Sequence, residues 1–481
     1  MKLTINNKTI WITYAFIVII FVFLQFFVFF RIFVLTDDTT YYYIGKAITQ
    51  GSSPYTEIMM VHPPLQYYLL ALLIKIFGIN FLILKSLTLL SVIVISFFLF
   101  KIVLDNFNNI AALLSVVIFL FSSTIMQYAK GSNGAFETTA FIIAAYYFLT
   151  KKRFFISGTL FAFAGLTRLY FLPFFIICLF YSLFEFKEAK LTIRYKQTLK
   201  FILGFLVVFL SVNLFLLMNY GKGFYTGVYL YQALGGLIRA RYSFSAKLDS
   251  LWFIIGSNII IFLLSFFTLS FKKLRTYAIY VATVIVYILF VFQLKEIFVH
   301  YYLVILPFIA LIGGLALSNI PNRFNRLNFL FLPFATIMVL ILFVSASSYT
   351  IQNYKKINQS TEGENAILAI ANYIKANSKP DDKIFGATTP VHFIALYSDR
   401  KIILDFVDQR VSGEIYQRFL DMIKNRKDLK YIVYFLDEEA GGFKFYGIDN
   451  DSRYKEFIEK HCREGKGFYE GKDVYILYEC N

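Results

Sequence analysis

Two adjacent carboxylates, Asp37 and Asp38, follow directly on an apolar run from Ile10 to Val34 and are the foremost candidates for chemistry in the chain. A carboxylate held where a membrane helix emerges can take the proton of an attacking hydroxyl or ligate a metal ion. The pair also suits the first turn of a helix beginning near Thr39, as a cap and as negative charge at the helix N-terminus. Both readings stand on the residues alone. His62, in His62-Pro63-Pro64, can donate to a phosphate or bind a metal, or the corner can serve only to stiffen the entry to a helix. Glu137 opens an apolar run after the loop Gly131 to Phe136, either as a second membrane-edge carboxylate or as a plain N-terminal helix acid. Arg168 interrupts a long apolar stretch. A charge so placed is costly and marks function, unless its head merely snorkels to the headgroups. Arg239, Arg241 and His300-Tyr301 complete the set; guanidinium groups bind phosphate bidentately, so a lipid phosphate or pyrophosphate is the natural ligand.

The elements that must position these groups follow from hydropathy. The 481 residues are 58% hydrophobic and 20% aromatic, so lipid is the main solvent of a multi-span protein. The net charge of +17 does not point to nucleic acid, because the basic residues fall in short clusters between apolar runs, as the positive-inside rule expects. Those clusters are Lys2/Lys8, Lys151 to Arg153, Lys187 to Lys200, Lys272 to Arg275 and Arg323/Arg326. If all are cytoplasmic, an even number of crossings separates each consecutive pair. Five apolar runs precede Lys151, so one does not cross; the run 63–78 begins with Pro63-Pro64 and carries Lys75, and it reads as a surface helix. About eleven spans of ~20 residues remain. The N-terminus is then cytoplasmic, and residues 35–79, 131–135, Arg168, 219–249, 294–298 and everything after about 348 face outward. Tyr41, Ile44, Ala47 and Ile48 recur at helical spacing and predict a short amphipathic helix lying along the membrane surface.

Beyond Tyr349 charged residues become frequent. Strand-like runs at 383–385, 401–404 and 431–434 alternate with helical patterns at 364–376, 411–425 and 452–462. The predicted fold is an all-α polytopic membrane domain (1–348), with surface helices in its first external loop, and a C-terminal extracytoplasmic α/β domain (349–481). Cys462 and Cys480 lie in that second domain and can pair if it faces an oxidising compartment, whereas Cys178 sits in an apolar run.

Taken together these residues resemble the glycosyltransferase C superfamily, within it the relatives of dolichyl-phosphate-mannose protein mannosyltransferases and lipid A aminoarabinose transferases. The resemblance rests on Asp37-Asp38 with Tyr41 and Ala47-Ile48, Gly51 with Pro54-Tyr55, and His62-Pro63-Pro64-Leu65 leading to Phe77-Gly78. It continues through Gly131 to Glu137, Leu166-Thr167-Arg168 and His300-Tyr301-Tyr302 with Pro307. It implies a polyprenyl-phosphate-linked sugar donor and transfer on the outer face to a protein, lipid or glycan acceptor, with Asp37 as the first-loop catalytic carboxylate and His62 near the donor phosphate. Asp38 and Glu137 are the other candidate catalytic groups; Glu137 stands where many members have Asp. Tyr41, His62, Arg168, Arg239, Arg241, His300 and Tyr301 are the candidate substrate-binding groups. A divalent metal is left open, though the position of the family's metal-binding Glu falls near Val61. Two other readings share the composition. An oligosaccharyltransferase has this architecture, but the Trp-Trp-Asp-Tyr-Gly signature is absent and Trp11 and Trp252 are the only tryptophans. A transporter or flippase of lipid-linked sugars would need polar groups through the bilayer, whereas the charges here gather at its outer boundary.

Overall fold

The computed structural model of the chain describes residues 7–29, 37–129, 131, 133–184, 191–230, 243–258, 274–294, 297–323, 341, 343–348, 350–352, 363–386, 388–403, 405–406, 428–436, 452–470 and 473–480. Its membrane part is built from helices α1 (Asn7–Phe29), α2 (Asp37–Thr49), α3 (Leu65–Phe77), α4 (Phe81–Asn106), α5 (Asn109–Leu120) and α6 (Ser123–Tyr128). It continues with α7 (Ala135–Thr150), α8 (Phe154–Thr167), α9 (Leu172–Phe184), α10 (Leu191–Tyr225), α11 (Phe244–Ser257), α12 (Leu274–Gln293) and α13 (Leu306–Arg323). Among the described residues four apolar segments are long enough to cross a membrane, Lys8–Phe26, Phe81–Asn106, Tyr195–Leu230 and Val299–Ser318. The other apolar helices among the described residues run 10–17 residues. The run 108–130 is divided, because Ser122 caps α6 by accepting from the Ile125 N–H. The expected spans at 250–271 and 327–347 lie largely outside the described residues.

α8 and α10 approach backbone to backbone. A Cβ on Gly158 would stand 2.0 Å from the Phe201 carbonyl oxygen, and one on Gly204 would stand 2.1 Å from that of Phe155. Close approach through small residues is what holds helices together where lipid supplies no hydrophobic drive.

The segment between α1 and α4 contains α2, β1 (Ile58–Met59) and α3. α2 ends at Gly51, whose φ of +83° suits glycine and lets the Ser52 N–H reach back to the Ala47 carbonyl at 3.0 Å. α3 starts from the proline corner at Pro63-Pro64 and stops at Gly78, φ +72°. Its 13 residues are too few to cross a bilayer at about 1.5 Å per residue. The helix predicted from the periodicity at Tyr41 to Ile48 is present as α2, packed between other elements. Its residues from Thr39 to Ala47 are all buried, because α3 covers one side and the C-terminal region covers the other.

That C-terminal region holds α14 (Gly363–Asn377), β2 (Lys383–Gly386), α15 (Thr388–Ser398), β3 (Lys401–Ile402), β4 (Asp405–Phe406), β5 (Leu429–Leu436), α16 (Ser452–His461), β6 (Cys462–Glu470) and β7 (Asp473–Cys480). The sheet order is β3-β2-β5-β7-β6, with β2 parallel to β3 and β5, and β7 antiparallel to β5 and β6. Cys462 and Cys480 are cross-strand partners and form a disulfide. The helix expected at 411–425 lies outside the described residues. β1 pairs in parallel with β4, Ile58 opposite Asp405 and Met59 opposite Phe406. Tyr41, Tyr43, Ile44, Tyr67 and Leu70 share one hydrophobic cluster with Ile370, Ile394, Ile432 and Leu477. The segment carrying α2, β1 and α3 therefore packs as part of the core of the C-terminal region.

Candidate active site

Arg168 organises the site. α8 stops at Thr167, and Arg168 takes extended backbone angles (φ −149°, ψ 138°) before a 3₁₀ turn, Leu169–Phe171, leads into α9. The break turns the side chain into the protein, where it is 3% exposed. Its guanidinium donates to the Thr167 carbonyl at 2.9 Å and to the Asn133 carbonyl at 2.6 Å, and it lies 5.2 Å from the ring centroid of Tyr41. Cation–π contact and two carbonyls fix its plane. Among the described residues no carboxylate stands within ion-pair distance of it. Two of five N–H donors are used in those bonds, leaving a fork suited to an anion.

The Gly131–Gly134 loop is shaped to this charge. Gly134 has φ +79°, and a Cβ there would lie 2.4 Å from Arg168 Cζ and 2.7 Å from Gln66 Oε1. Gly131 does the same for the Asp38 carboxylate: a Cβ on it would be 1.8 Å from Asp38 Oδ2. Asp38 thus reaches from the first turn of α2 across to the loop that also receives Arg168. We expect Gly131→Ala to displace the Asp38 carboxylate and slow any reaction that this carboxylate serves about tenfold to a hundredfold, read as initial rates on protein of normal thermal stability; an unchanged rate would show that this placement of Asp38 is not used.

Around this pair, Tyr41 lies with its ring 6.1 Å from that of His62 and 5.7 Å from that of Tyr67. Tyr55 donates to the His62 carbonyl at 3.2 Å, fixing the proline corner. Glu137 is buried in the first turn of α7 and accepts from Thr88 Oγ1 at 3.1 Å. Tyr41, Tyr67, Tyr170, Glu137 and His300 lie within electrostatic reach of the Arg168 guanidinium. His300 and Tyr301 lie in a 3₁₀ segment, Val299–Ile305, that precedes α13. The His300 ring stacks on Phe298 at 5.5 Å, and Tyr301 sits 5.7 Å from Tyr170.

The structure therefore brings together Asp38, Tyr41, His62, Glu137, Arg168, His300 and Tyr301. The side chain of Asp37, and Arg239 and Arg241 entirely, lie outside the described residues. Among the described residues no three His, Cys, Asp or Glu side chains gather as a metal site. Three groups escaped the sequence reading. Gln66 is fully buried beside Arg168, Thr88 binds Glu137, and Lys85 is a buried cation one turn before Thr88 on α4. A lone Lys with a Thr three residues on, inside an apolar span, was the available signal.

The family model described as dolichyl-phosphate-mannose-protein mannosyltransferase matches residues 61–215, from the proline corner through Arg168 into α10. The fold is similar to that of ArnT from Cupriavidus metallidurans in the apo state, with TM-score 0.69, 14% identity and 98% of each chain covered. It is similar as well to the same protein bound to undecaprenyl phosphate, with TM-score 0.68, 12% identity and 98% of each chain covered. The oligosaccharyltransferase from Archaeoglobus fulgidus in the apo form is less similar, with TM-score 0.56, 12% identity, 97% of this chain and 75% of that chain covered. A search of curated protein sequences gives no significant match. The chain is a multi-pass membrane protein, and its resemblance to the glycosyltransferase C superfamily holds both in part of its sequence and in its fold.

Proposed function

We propose that this protein is a membrane glycosyltransferase that moves a sugar from a polyprenyl-phosphate carrier to a hydroxyl acceptor on the extracytoplasmic face. The observation that carries the reading is the buried Arg168 fork beside a carboxylate-bearing helix start, with tyrosines and imidazoles around it. The undecaprenyl phosphate in one structure of similar fold supports a lipid phosphate as the ligand. So does the lipid-linked mannose in the name of the matching family.

In the proposed reaction the lipid phosphate docks on Arg168 with His62 near it, and Lys85, Arg239 and Arg241 supply further positive charge. The acceptor oxygen attacks the anomeric carbon while Asp37, or Asp38 beside it, takes its proton. The bond from that carbon to the phosphate oxygen breaks, the electron pair leaves with the lipid phosphate, and the sugar is transferred with inversion. Arg168 stabilises the charge that builds on the leaving phosphate and is positioned before reaction, so it costs no reorganisation. The disulfide between Cys462 and Cys480 supports an oxidising compartment for the C-terminal domain, 349–481, and hence the outward placement of the site.

The test is purified full-length protein in lipid nanodiscs, offered a panel of polyprenyl-phosphate sugars with release of lipid phosphate measured. Turnover of at least one donor is expected. Binding of lipid phosphate without release from any donor in the panel, with sugar-bearing lipid moved across the bilayer of vesicles, would overturn the reading in favour of transport.

A further inference from the structure

α2 has two working faces. At about 100° per residue, Asp38, Tyr41 and Gly45 fall on one side of the helix and Thr40, Tyr43 and Lys46 on roughly the opposite one. The first side meets the membrane part: Asp38 lies against Gly131, Tyr41 under Arg168, and a Cβ on Gly45 would stand 3.1 Å from Leu70 Cβ of α3. The second side meets the C-terminal region at three points. Thr40 Oγ1 is 3.3 Å from His392 Nδ1, the hydroxyl of Tyr43 accepts from the Ile402 N–H at 2.7 Å, and Lys46 donates to the Ala395 carbonyl at 3.1 Å. Lys46 also pairs with Asp399 at 2.7 Å. Burial lowers the Lys46 ammonium from its usual range while Asp399 opposes that, and the Lys46 hydrogen bond holds the Asp399 carboxyl below its own.

His392 is 1% exposed on α15, with its ring 5.5 Å from that of Tyr43. Burying an imidazole at a docked interface is costly without hydrogen bonds, and the bond to Thr40 falls within one turn of the carboxylates. A rotation of α2 by one contact on this side carries Asp38 away from Gly131 on the other. We propose that His392 is a positioning residue for the transfer reaction: through Thr40 it sets the rotation of α2, and with it the placement of the carboxylates opposite Arg168. The C-terminal domain is then part of the catalytic apparatus without touching the sugar. This inference rests on the reading of α2 as the carrier of the general base.

The experiment is steady-state transfer by the full chain in nanodiscs. His392→Ala is expected to lower kcat about tenfold or more while donor KM stays within about twofold, since misplacement costs rate rather than phosphate binding. His392→Asn, whose amide can stand in for Nδ1, is expected to restore most of the rate. Thr40→Val keeps the volume and reproduces the loss, and the double variant Thr40→Val/His392→Ala is no worse than either single one, as expected for two ends of one interaction. Losses that multiply, a rise in donor KM at unchanged kcat, or wild-type kcat in Thr40→Val would overturn the proposal. Thr40→Val carries the test should His392→Ala fail to fold. Asp37→Asn and Asp38→Asn run in parallel separate the two claims. If both retain full transfer the reading of α2 falls; if either is inactive while Thr40→Val matches wild type, only the positioning role falls.

Discussion

Replacing Asp37 and Asp38 by Asn, one at a time, is expected to reduce single-turnover transfer about a thousandfold at the residue that takes the acceptor proton and less than tenfold at its neighbour. A positioned general base contributes about 10² to 10⁴ in rate, and Asn keeps the shape and the helix-capping capacity of Asp while losing basicity. The asymmetry assigns the base. Asp38 is the one whose carboxylate is placed against Gly131, whereas the resemblance in sequence favours Asp37. The measurement is rapid-quench release of lipid phosphate at saturating donor, with insertion and thermal stability checked for each variant. Retention of wild-type rates by both variants removes this carboxylate pair from the chemistry.

Arg168→Met is expected to produce the second large effect. It removes the cation proposed to face the leaving phosphate and takes the donor from the Thr167 and Asn133 carbonyls. Losing one preorganised donor to a developing negative charge costs about 10² to 10³ in rate, and stranding a buried carbonyl costs about 1–3 kcal/mol of stability. Two observables should therefore fall together: transfer and thermal midpoint. Arg168→Lys separates them, because an ammonium cannot span both carbonyls and a phosphate in one plane. It should recover part of the stability and little of the rate. Binding of polyprenyl phosphate, measured by tryptophan-independent calorimetry or by product inhibition, should weaken in both variants; unaltered affinity in Arg168→Met would place the phosphate elsewhere.

The sequence made several of these groups visible because they break a trend. Arg168 stands out as a cation within an apolar stretch, and Glu137, His62 and His300 are polar groups at the ends of apolar runs. Spacing along the chain could not show that they meet, since Tyr41, Asn133 and Arg168 are joined only by the fold. Lys85 and Gln66 were hidden for the converse reason: each sits in a segment whose hydropathy is dominated by its neighbours. The periodicity of α2 signalled a helix but not its partner. Apolar residues at helical spacing suit a lipid surface and a protein core alike, and here the core of the C-terminal region wins. α15 was missed because Thr388-Thr389-Pro390 reads as a turn, and β6 because Arg463-Glu464-Gly465-Lys466-Gly467 reads as a charged loop. β6 is extended by pairing with β7, a tertiary cause that local propensity does not register.

The single cluster joining α2 and α3 with α14, α15 and the sheet has a consequence for biogenesis. Ribosomes deliver Tyr41 and Leu70 some three hundred residues before Ile394 and Ile432, so the early segment must wait, half covered, while the membrane helices are inserted. Its burial is completed only by residues from 366 onward, which are synthesised much later. Both sides of α2 are therefore covered only once that region has folded against it.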